Sequence, residues 1–201
     1  MMRYLIISVL ILLSLNSCKP FQLDGQNSTW VQESLTNNYF ADYTKETLYR
    51  GRIEVYGNTI TGLFIAKRIG EHEHRMVFTS DFGNTLFDFT ITDTSFHVNY
   101  VMEDLNKKII LNILKRDFTA MLKVVNPVDK RLDTGASWGF KSETDNKYFI
   151  VNKDDGQLSQ IVLFSKYKRK VDLNFTTDEN KELRQIEIIH HNINLKITLI
   201  N

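Results

Sequence analysis

Apolar and polar residues alternate in short segments along most of this chain, and turn residues separate the segments. Between Thr47 and Val55, for example, every second position carries Tyr49, Gly51, Ile53 and Val55, and mostly charged residues lie between them. A period of two places successive side chains on opposite faces of a β-strand. The pattern therefore predicts antiparallel strands with one face on a core and the other in water.

The first half of the chain predicts a meander of strands joined by short turns. Gly57 and Asn58 form one predicted turn, and the polar stretch 68–75 is a predicted loop. The predicted strands cover 47–55, 59–67, 76–79, 84–92 and 95–101. Neighbouring strands that are joined this closely pair antiparallel.

In the middle of the chain the apolar period changes to that of a helix. Asp104 or Asn106 is placed to cap its start, and Pro127 is expected to end the segment. The residues that recur at helical spacing are Leu105, Ile109, Ile113 and Phe118. We therefore expect one substantial helix between two groups of strands.

The second half predicts an irregular connection over 128–144 and then strands again. These strands cover 147–153, 158–167, 170–176, 183–190 and 195–200. The fold class is therefore mainly β with α: a strongly curved, unclosed antiparallel β-barrel of about ten strands, with a helix between its halves.

The helix has two interpretations, which the sequence leaves open. In the first it plugs the concave side of the sheet, and its apolar residues are core. In the second it is a movable lid over an apolar cup that binds a ligand. The predicted cup residues are Phe64, Phe78, Phe87, Phe89, Leu105, Ile109, Ile113 and Phe118.

The N-terminus has the layout of an export signal. Arg3 supplies a positive charge, 4–15 is an apolar run too short to span a bilayer, and small or polar residues lead to Cys18. The segment Leu15-Asn16-Ser17-Cys18 resembles a lipobox, after which a bacterial lipoprotein begins at a diacylated cysteine. We expect a signal peptide at 1–17, a lipidated Cys18 with a tether at 18–28, and one domain at 29–201. The alternative is an ordinary secretory signal with an incidental cysteine.

Composition excludes several classes of protein. The chain has 25 basic and 24 acidic residues, so it lacks the positive field that attracts nucleic acid. Cys18 is the only cysteine, so the exported domain has no disulfide and no thiolate metal site. We expect neither a metal nor another cofactor.

Three local patterns in the first half resemble the outer-membrane lipoprotein receptor LolB and its periplasmic relative LolA. They are Gly51-Arg52-Ile53-Glu54-Val55, Gly62-Leu63-Phe64 and Phe82-Gly83-Asn84-Thr85-Leu86, in the order that this family has them. The likeness runs from about Leu48 to the C-terminus, although Ala66-Lys67 stands where the family often has a tryptophan. It implies an unclosed barrel with helices in its mouth.

The resemblance also implies a function without catalysis, namely the binding of acyl chains or lipoproteins. Such binding rests on buried apolar area, at about 25 cal/mol per Å², and leaves few motifs. LolB uses an exposed apolar loop residue at the membrane, and Ile69 is the candidate here. Lys168 and Arg169, in a basic turn, are further candidates for contact with anionic lipid headgroups.

Local patterns at one serine and at four histidines could indicate catalysis or metal binding. Ser137 lies in a G-x-S-x-G match that can mark an esterase, but the match needs a strand before it and a helix after it. His72 and His74, and the pair His190 and His191, have no obvious third metal ligand and are interpreted as solvated loop histidines. We expect no catalytic and no metal-binding residue.

The sequence thus predicts a lipid-anchored envelope lipoprotein that binds acyl chains or lipoproteins in its cup. The alternative is an accessory subunit of an envelope complex, whose cup its own helix fills; an esterase using Ser137 is a third. Partners would be membrane lipid through Cys18, lipid or lipoprotein cargo, or an envelope complex. Lys19 follows the cysteine in place of an inner-membrane retention aspartate, which favours the periplasmic side of the outer membrane.

Overall fold

Antiparallel pairing of neighbouring strands builds the fold. A computed structural model describes residues 20–28 and 33–201. The strands are β1 Gln26–Asn27, β2 Ser34–Thr36, β3 Glu46–Val55, β4 Asn58–Gly70, β5 Glu73–Ser80, β6 Thr85–Thr92, β7 Phe96–Val101, β8 Val125–Asp133, β9 Ser137–Ser142, β10 Lys147–Asn152, β11 Leu158–Phe164, β12 Arg169–Thr177, β13 Leu183–His190 and β14 Leu195–Ile200. One α-helix, α1, covers Lys108–Leu122, and short 3-10 turns cover Asn38–Phe40 and Glu103–Leu105.

A single sheet contains these strands. Its order is β1-β8-β9-β10-β11-β12-β13-β14-β3-β4-β5-β6-β7, with β2 paired to β8 off this path. The last strand, β14, pairs with β3 and so joins the two halves of the chain. The described strands at the two ends, β7 and β1, do not pair with each other, so the sheet is unclosed.

Two glycines allow strands β3, β4 and β5 to pack closely. Gly51 and Gly62 lie opposite each other in the pairing of β3 with β4. A Cβ atom at Gly51 would collide with the ring of Phe78, and one at Gly62 with the carbonyl oxygen of Thr79. The glycine pattern that carries the family resemblance therefore has a packing reason in this chain.

The predicted meander is confirmed as β3 to β7, and the predicted second group of strands as β10 to β14. The described residues form fourteen strands, more than the predicted count of about ten. Residues 128–144 form most of the hairpin β8–β9 rather than an irregular connection. A register shift between Val128 and Lys130 interrupts the period of β8, and the buried polar Asn126 hides it further. The predicted loop 68–75 is only a short turn, because β4 runs to Gly70 and β5 starts at Glu73.

The helix is confirmed between the two groups of strands, but its predicted ends are wrong. It has 15 residues, which corresponds to about 22 Å. Lys107 is the N-cap and makes no side-chain capping bond, while Asp104 belongs to the preceding 3-10 turn. Pro127 lies inside β8, where the pairing with β2 places it opposite Ser34.

The core lies between α1 and the sheet. Its largest fully buried side chains include Phe64, Phe78, Phe87, Phe89 and Phe118. A smaller second cluster of Leu132, Tyr148 and Val162 holds Phe21 and Leu23 against the sheet.

The part of the predicted tether that the structure describes therefore packs on the sheet, with β1 paired to β8. Cys18 and the predicted signal peptide at 1–17 lie outside the described residues. Among the described helices, none has the length and apolar character needed to cross a membrane.

Candidate functional site

The predicted cup is occupied by the protein's own side chains. Phe118 of α1 has its ring centroid 5.6 Å from that of Phe64 and 5.9 Å from that of Phe87. Phe87 stacks on Phe78 at 5.4 Å and on Phe89 at 4.9 Å. The five phenylalanines are thus brought together as predicted, and α1 covers them.

We call the first half of α1, together with the partly buried apolar residues that pack against the core, the mouth of the cup. None of the helix residues from Lys108 to Ile113 is buried, although Ile110, Leu111 and Ile113 are apolar and only partly exposed. Ile109 is 76% exposed, so the interpretation of this residue as core is wrong. The helix turns Ile109 to solvent because the core stripe runs through Leu114, Phe118 and Met121 instead.

At the mouth, partly buried apolar residues extend the core toward water. Leu105, in the 3-10 turn before α1, is one of them. The others include Phe96, Val98, Val101, Met102, Ile110 and Leu111. Phe96 packs on Phe89 with ring centroids 4.6 Å apart. An apolar rim therefore connects the exposed face of α1 with the buried phenylalanines.

The second half of α1 is fixed by a buried polar network. Asp117 Oδ2 lies 2.8 Å from His190 Nε2, and both side chains have no exposed surface. His190 Nδ1 lies 3.0 Å from the carbonyl oxygen of Leu195. Because a carbonyl only accepts, Nδ1 donates in this second bond, so both ring nitrogens of His190 have a buried polar partner. Arg116 donates from Nε and Nη2 to the other Asp117 oxygen at 2.9 and 2.8 Å.

Sequence reasoning missed this pair because its members are far apart in the chain. His190 was interpreted as a solvated loop histidine, and that interpretation is wrong. His74 is also buried, in β5, where its Nε2 lies 2.9 Å from the carbonyl oxygen of Phe40. Burial lowers the pKa of His74 below its ordinary value. His72 and His191 are exposed, as predicted.

A cavity of about 300 Å³ lies beside the second half of α1, and it contains a buried lysine. The Lys147 side chain is 6% exposed, and its Nζ lies 3.0 Å from Asp145 Oδ2. Burial lowers the pKa of Lys147, against the opposing effect of Asp145. Lys115 and Phe164 also line this cavity, which makes its wall both apolar and cationic.

The candidate membrane residues lie in different places. Ile69 is at the end of β4 and is 48% exposed. Lys168 is exposed in the turn between β11 and β12, whereas Arg169 binds Asp172 and donates to Gln160 at 2.9 Å. Phe82 appears in the sequence only as part of a family pattern and not as a membrane candidate, yet it is 92% exposed between β5 and β6. Its place directly before Gly83 was the sequence signal for an exposed turn, and Gly83 indeed has a positive φ of 83°.

Ser137 lies at the start of β9, and a second antiparallel strand, β10, pairs beside it. The strand–turn–helix context of a nucleophilic serine is thus not formed at this position. Its hydroxyl faces Asn152 Oδ1 at 3.4 Å, and His190 is bound to Asp117 instead. Within the described ranges, no three His, Cys, Asp or Glu residues group in a way that could hold a metal ion.

No family model matches this chain, and no curated protein matches it. The geometry of the structure alone therefore supports the fold and the candidate site.

Proposed function

We propose that this protein is a lipid-anchored envelope lipoprotein that binds an acyl chain, free or as part of a lipoprotein, without catalysis. The binding site is the mouth of the half-barrel, and the first half of α1 is its lid. The observation that carries this proposal is the exposed apolar Ile109, which adjoins Ile110 and Leu111 in α1, both partly buried against the core that contains Phe89.

The forces on α1 favour movement of its first half alone. The N-cap Lys107 makes no side-chain bond, and Lys107 and Lys108 are cations at the end of the helix where the dipole favours anions. Asp117 and Phe118 hold the second half in the core. Unwinding or tilting 108–113 would uncover apolar residues beside Phe89 and Phe96, while Phe118 and the rest of α1 stay in place.

A second candidate function is supported by the tight aromatic packing. Phe64, Phe78, Phe87 and Phe89 are at most 1% exposed, with Phe118 filling the space between them. A cup filled in this way suits an accessory subunit that docks on an envelope complex through its outer surface. This candidate predicts that acyl chains do not bind at the mouth.

Binding of a fluorescent fatty acid to residues 19–201 distinguishes these candidates. Both described hydrophobic clusters lie between Phe21 and Leu199, so this part of the chain contains the whole core. We expect saturable binding by the wild-type chain and at least about tenfold weaker binding by Ile109→Asp, because a charge at the mouth opposes an apolar ligand.

Asn58→Asp is the matched control, since Asn58 is exposed at the start of β4 and lies on a different element from α1. It introduces the same charge away from the helix and should bind like the wild type. Absence of binding in the wild type, or equal loss in both variants, would favour the accessory subunit.

A further inference from the structure

A cationic groove lies where the described chain begins. Its volume is about 490 Å³, and its lining includes Pro20, Phe21, Lys130, Lys141 and Lys166. The amide of Phe21 donates to the carbonyl oxygen of Lys166 at 2.8 Å. The ring of Phe21 packs on Phe164, with centroids 5.1 Å apart. This contact holds the start of the chain against the turn between β11 and β12.

Covalent geometry limits how far this groove can lie from the predicted lipid. Cys18 precedes Pro20 by two residues, and an extended chain advances about 3.3–3.6 Å per residue. The Cα atom of Cys18 therefore lies within about 7 Å of that of Pro20. An acyl chain on Cys18 would bring the membrane surface to the edge of the groove.

Positive charge dominates the groove and the adjoining turn. Lys166 and Lys168 are exposed on either side of Tyr167, which is itself 52% exposed. Lys130 is exposed as well, and no ion pair joins these three lysines to a carboxylate of the described residues. Asp129 is the one acidic residue in the groove lining, and it pairs with Lys141 at 3.6 Å.

The adjoining cavity beside α1 adds one exposed lysine to this surface. It shares Asn146 and Phe164 with the groove and adds Lys115, whereas Lys147 is buried and paired with Asp145. Asp172 and Gln160 bind the guanidinium group of Arg169. Of the predicted pair, Lys168 is therefore the free cation of this surface among the described residues, and Lys130 and Lys166 join it.

We propose that this face docks on the anionic headgroups of the membrane that holds the anchor, with Lys130, Lys166 and Lys168 at the phosphates and Tyr167 at the interface. The proposal rests on the lipid anchor of the proposed function. It adds a binding partner, the anionic headgroups, for the lysine-rich face beside that anchor. Lysines near an anionic leaflet bind by electrostatic attraction, while Tyr is suited to the headgroup level. Docking here would fix the orientation of the half-barrel on the membrane.

Co-sedimentation of residues 19–201 with lipid vesicles tests the proposal without the anchor. We expect binding to vesicles that contain phosphatidylglycerol, little binding to phosphatidylcholine alone, and release at about 1 M salt, where the screening length falls to about 3 Å. Lys166→Gln combined with Lys168→Gln should weaken binding about tenfold or more, since each lysine at such a surface contributes about fivefold.

The matched control is Lys45→Gln combined with Lys67→Gln. Both lysines are exposed, and they lie at β3 and β4, at least three strands from β12 in the sheet order. This control removes the same charge and should bind like the wild type. Equal loss in the two double variants would show attraction by net charge alone and overturn the proposal, as would equal binding to both kinds of vesicle. Urea unfolding of each variant establishes that it is folded.

Fatty-acid binding separates this proposal from the proposed function. The variant with Lys166→Gln and Lys168→Gln should bind the fluorescent fatty acid as the wild type does, because the mouth and this face lie on different elements. Vesicle binding that persists in a chain without fatty-acid binding would refute the acyl-binding site and leave the docking face standing.

Discussion

The two halves of α1 belong to one helix but are held by different forces. From Leu114 to Leu122, most residues are buried, and Asp117 reaches His190 at 2.8 Å with no exposed surface on either side chain. From Lys108 to Ile113, no residue is buried, and the N-cap makes no side-chain bond. A helix whose end lacks both burial and capping is marginal in water. The two halves of α1 therefore differ in local stability, as the proposed lid requires.

The two ends of α1 differ in the same way. Asn37, which is fully buried, donates from Nδ2 to the carbonyl oxygen of Met121 at 2.8 Å. This bond satisfies one of the carbonyl groups that every helix leaves open at its C-terminus. At the other end Lys107 and Lys108 oppose the helix dipole. Stability thus rises along α1 from its start to its end.

Removal of the buried carboxylate should have the largest effect. Asp117→Ala leaves His190 Nε2 buried without its partner, and we expect a loss of about 3 kcal/mol or more in the free energy of unfolding. Urea denaturation measures it. Asp104→Ala is the matched control, since Asp104 is exposed before α1, and it should change stability by less than about 0.5 kcal/mol. Similar losses in both variants would contradict the difference between the two halves.

A smaller loss of stability is expected when Asn37, which caps the C-terminal end of α1, is replaced. Asn37→Ala removes the amide that binds the Met121 carbonyl and should cost about 1–3 kcal/mol. Asn112→Ala, in the exposed half, should cost less than about 0.5 kcal/mol. Amide hydrogen exchange on both variants sharpens the comparison. Asn37→Ala should speed amide exchange at 114–122. A change confined to 108–113 would contradict the role of Asn37 in holding the second half of α1.

The smallest expected effect is on the pH dependence of the free energy of unfolding. It arises from His74, which lies beside the second half of α1. A small gap of about 10 Å³ lies between His74, Thr119 and Leu122. Burial lowers the pKa of His74, and the charge of Arg68 also lowers it, whereas the bond to Phe40 and the charge of Asp93 raise it. The unfolded chain therefore takes up a proton near its ordinary pKa of about 6.5, and the folded chain does so only at lower pH.

Stability should consequently fall as the pH drops from about 6.5 toward the lowered pKa of folded His74. In His74→Gln the free energy of unfolding should depend less on pH over this window. Urea denaturation at several pH values measures both slopes. Parallel slopes for the two proteins would mean that His74 does not resist protonation in the folded state.

The local period of the sequence predicted most of the fold. The bounds of β13 and β14 match their predicted segments, because apolar residues recur at every second position from Ile186 to Ile188 and from Leu195 to Leu199. The hairpin β8–β9 was missed, since the register shift near Val128 and the buried Asn126 break the alternation that marks a strand. A bulge is set by the partner strand, which lies elsewhere in the chain.

The candidate site was predicted only in part, for a related reason. Phe118 follows Ile109 by nine residues, which places the two on opposite faces of a helix, and Phe118 is 1% exposed whereas Ile109 is 76% exposed. Which of the two faces packs on the core is decided by contacts with distant strands, such as those of Phe118 with Phe87 and of Asp117 with His190. The buried pair of Asp117 and His190 had no local signal at all.

The sequence by itself determined the class of fold, because a period of two or of 3.6 residues is a property of neighbouring positions. It also determined the glycines at which strands approach closely, Gly51 and Gly62. Only the tertiary structure decided that Phe118 fills the cup, that Ile109 faces solvent, and that Phe21 meets the turn at Lys166. These outcomes depend on contacts between segments that are distant in the sequence, which form only when the strands and α1 pack together.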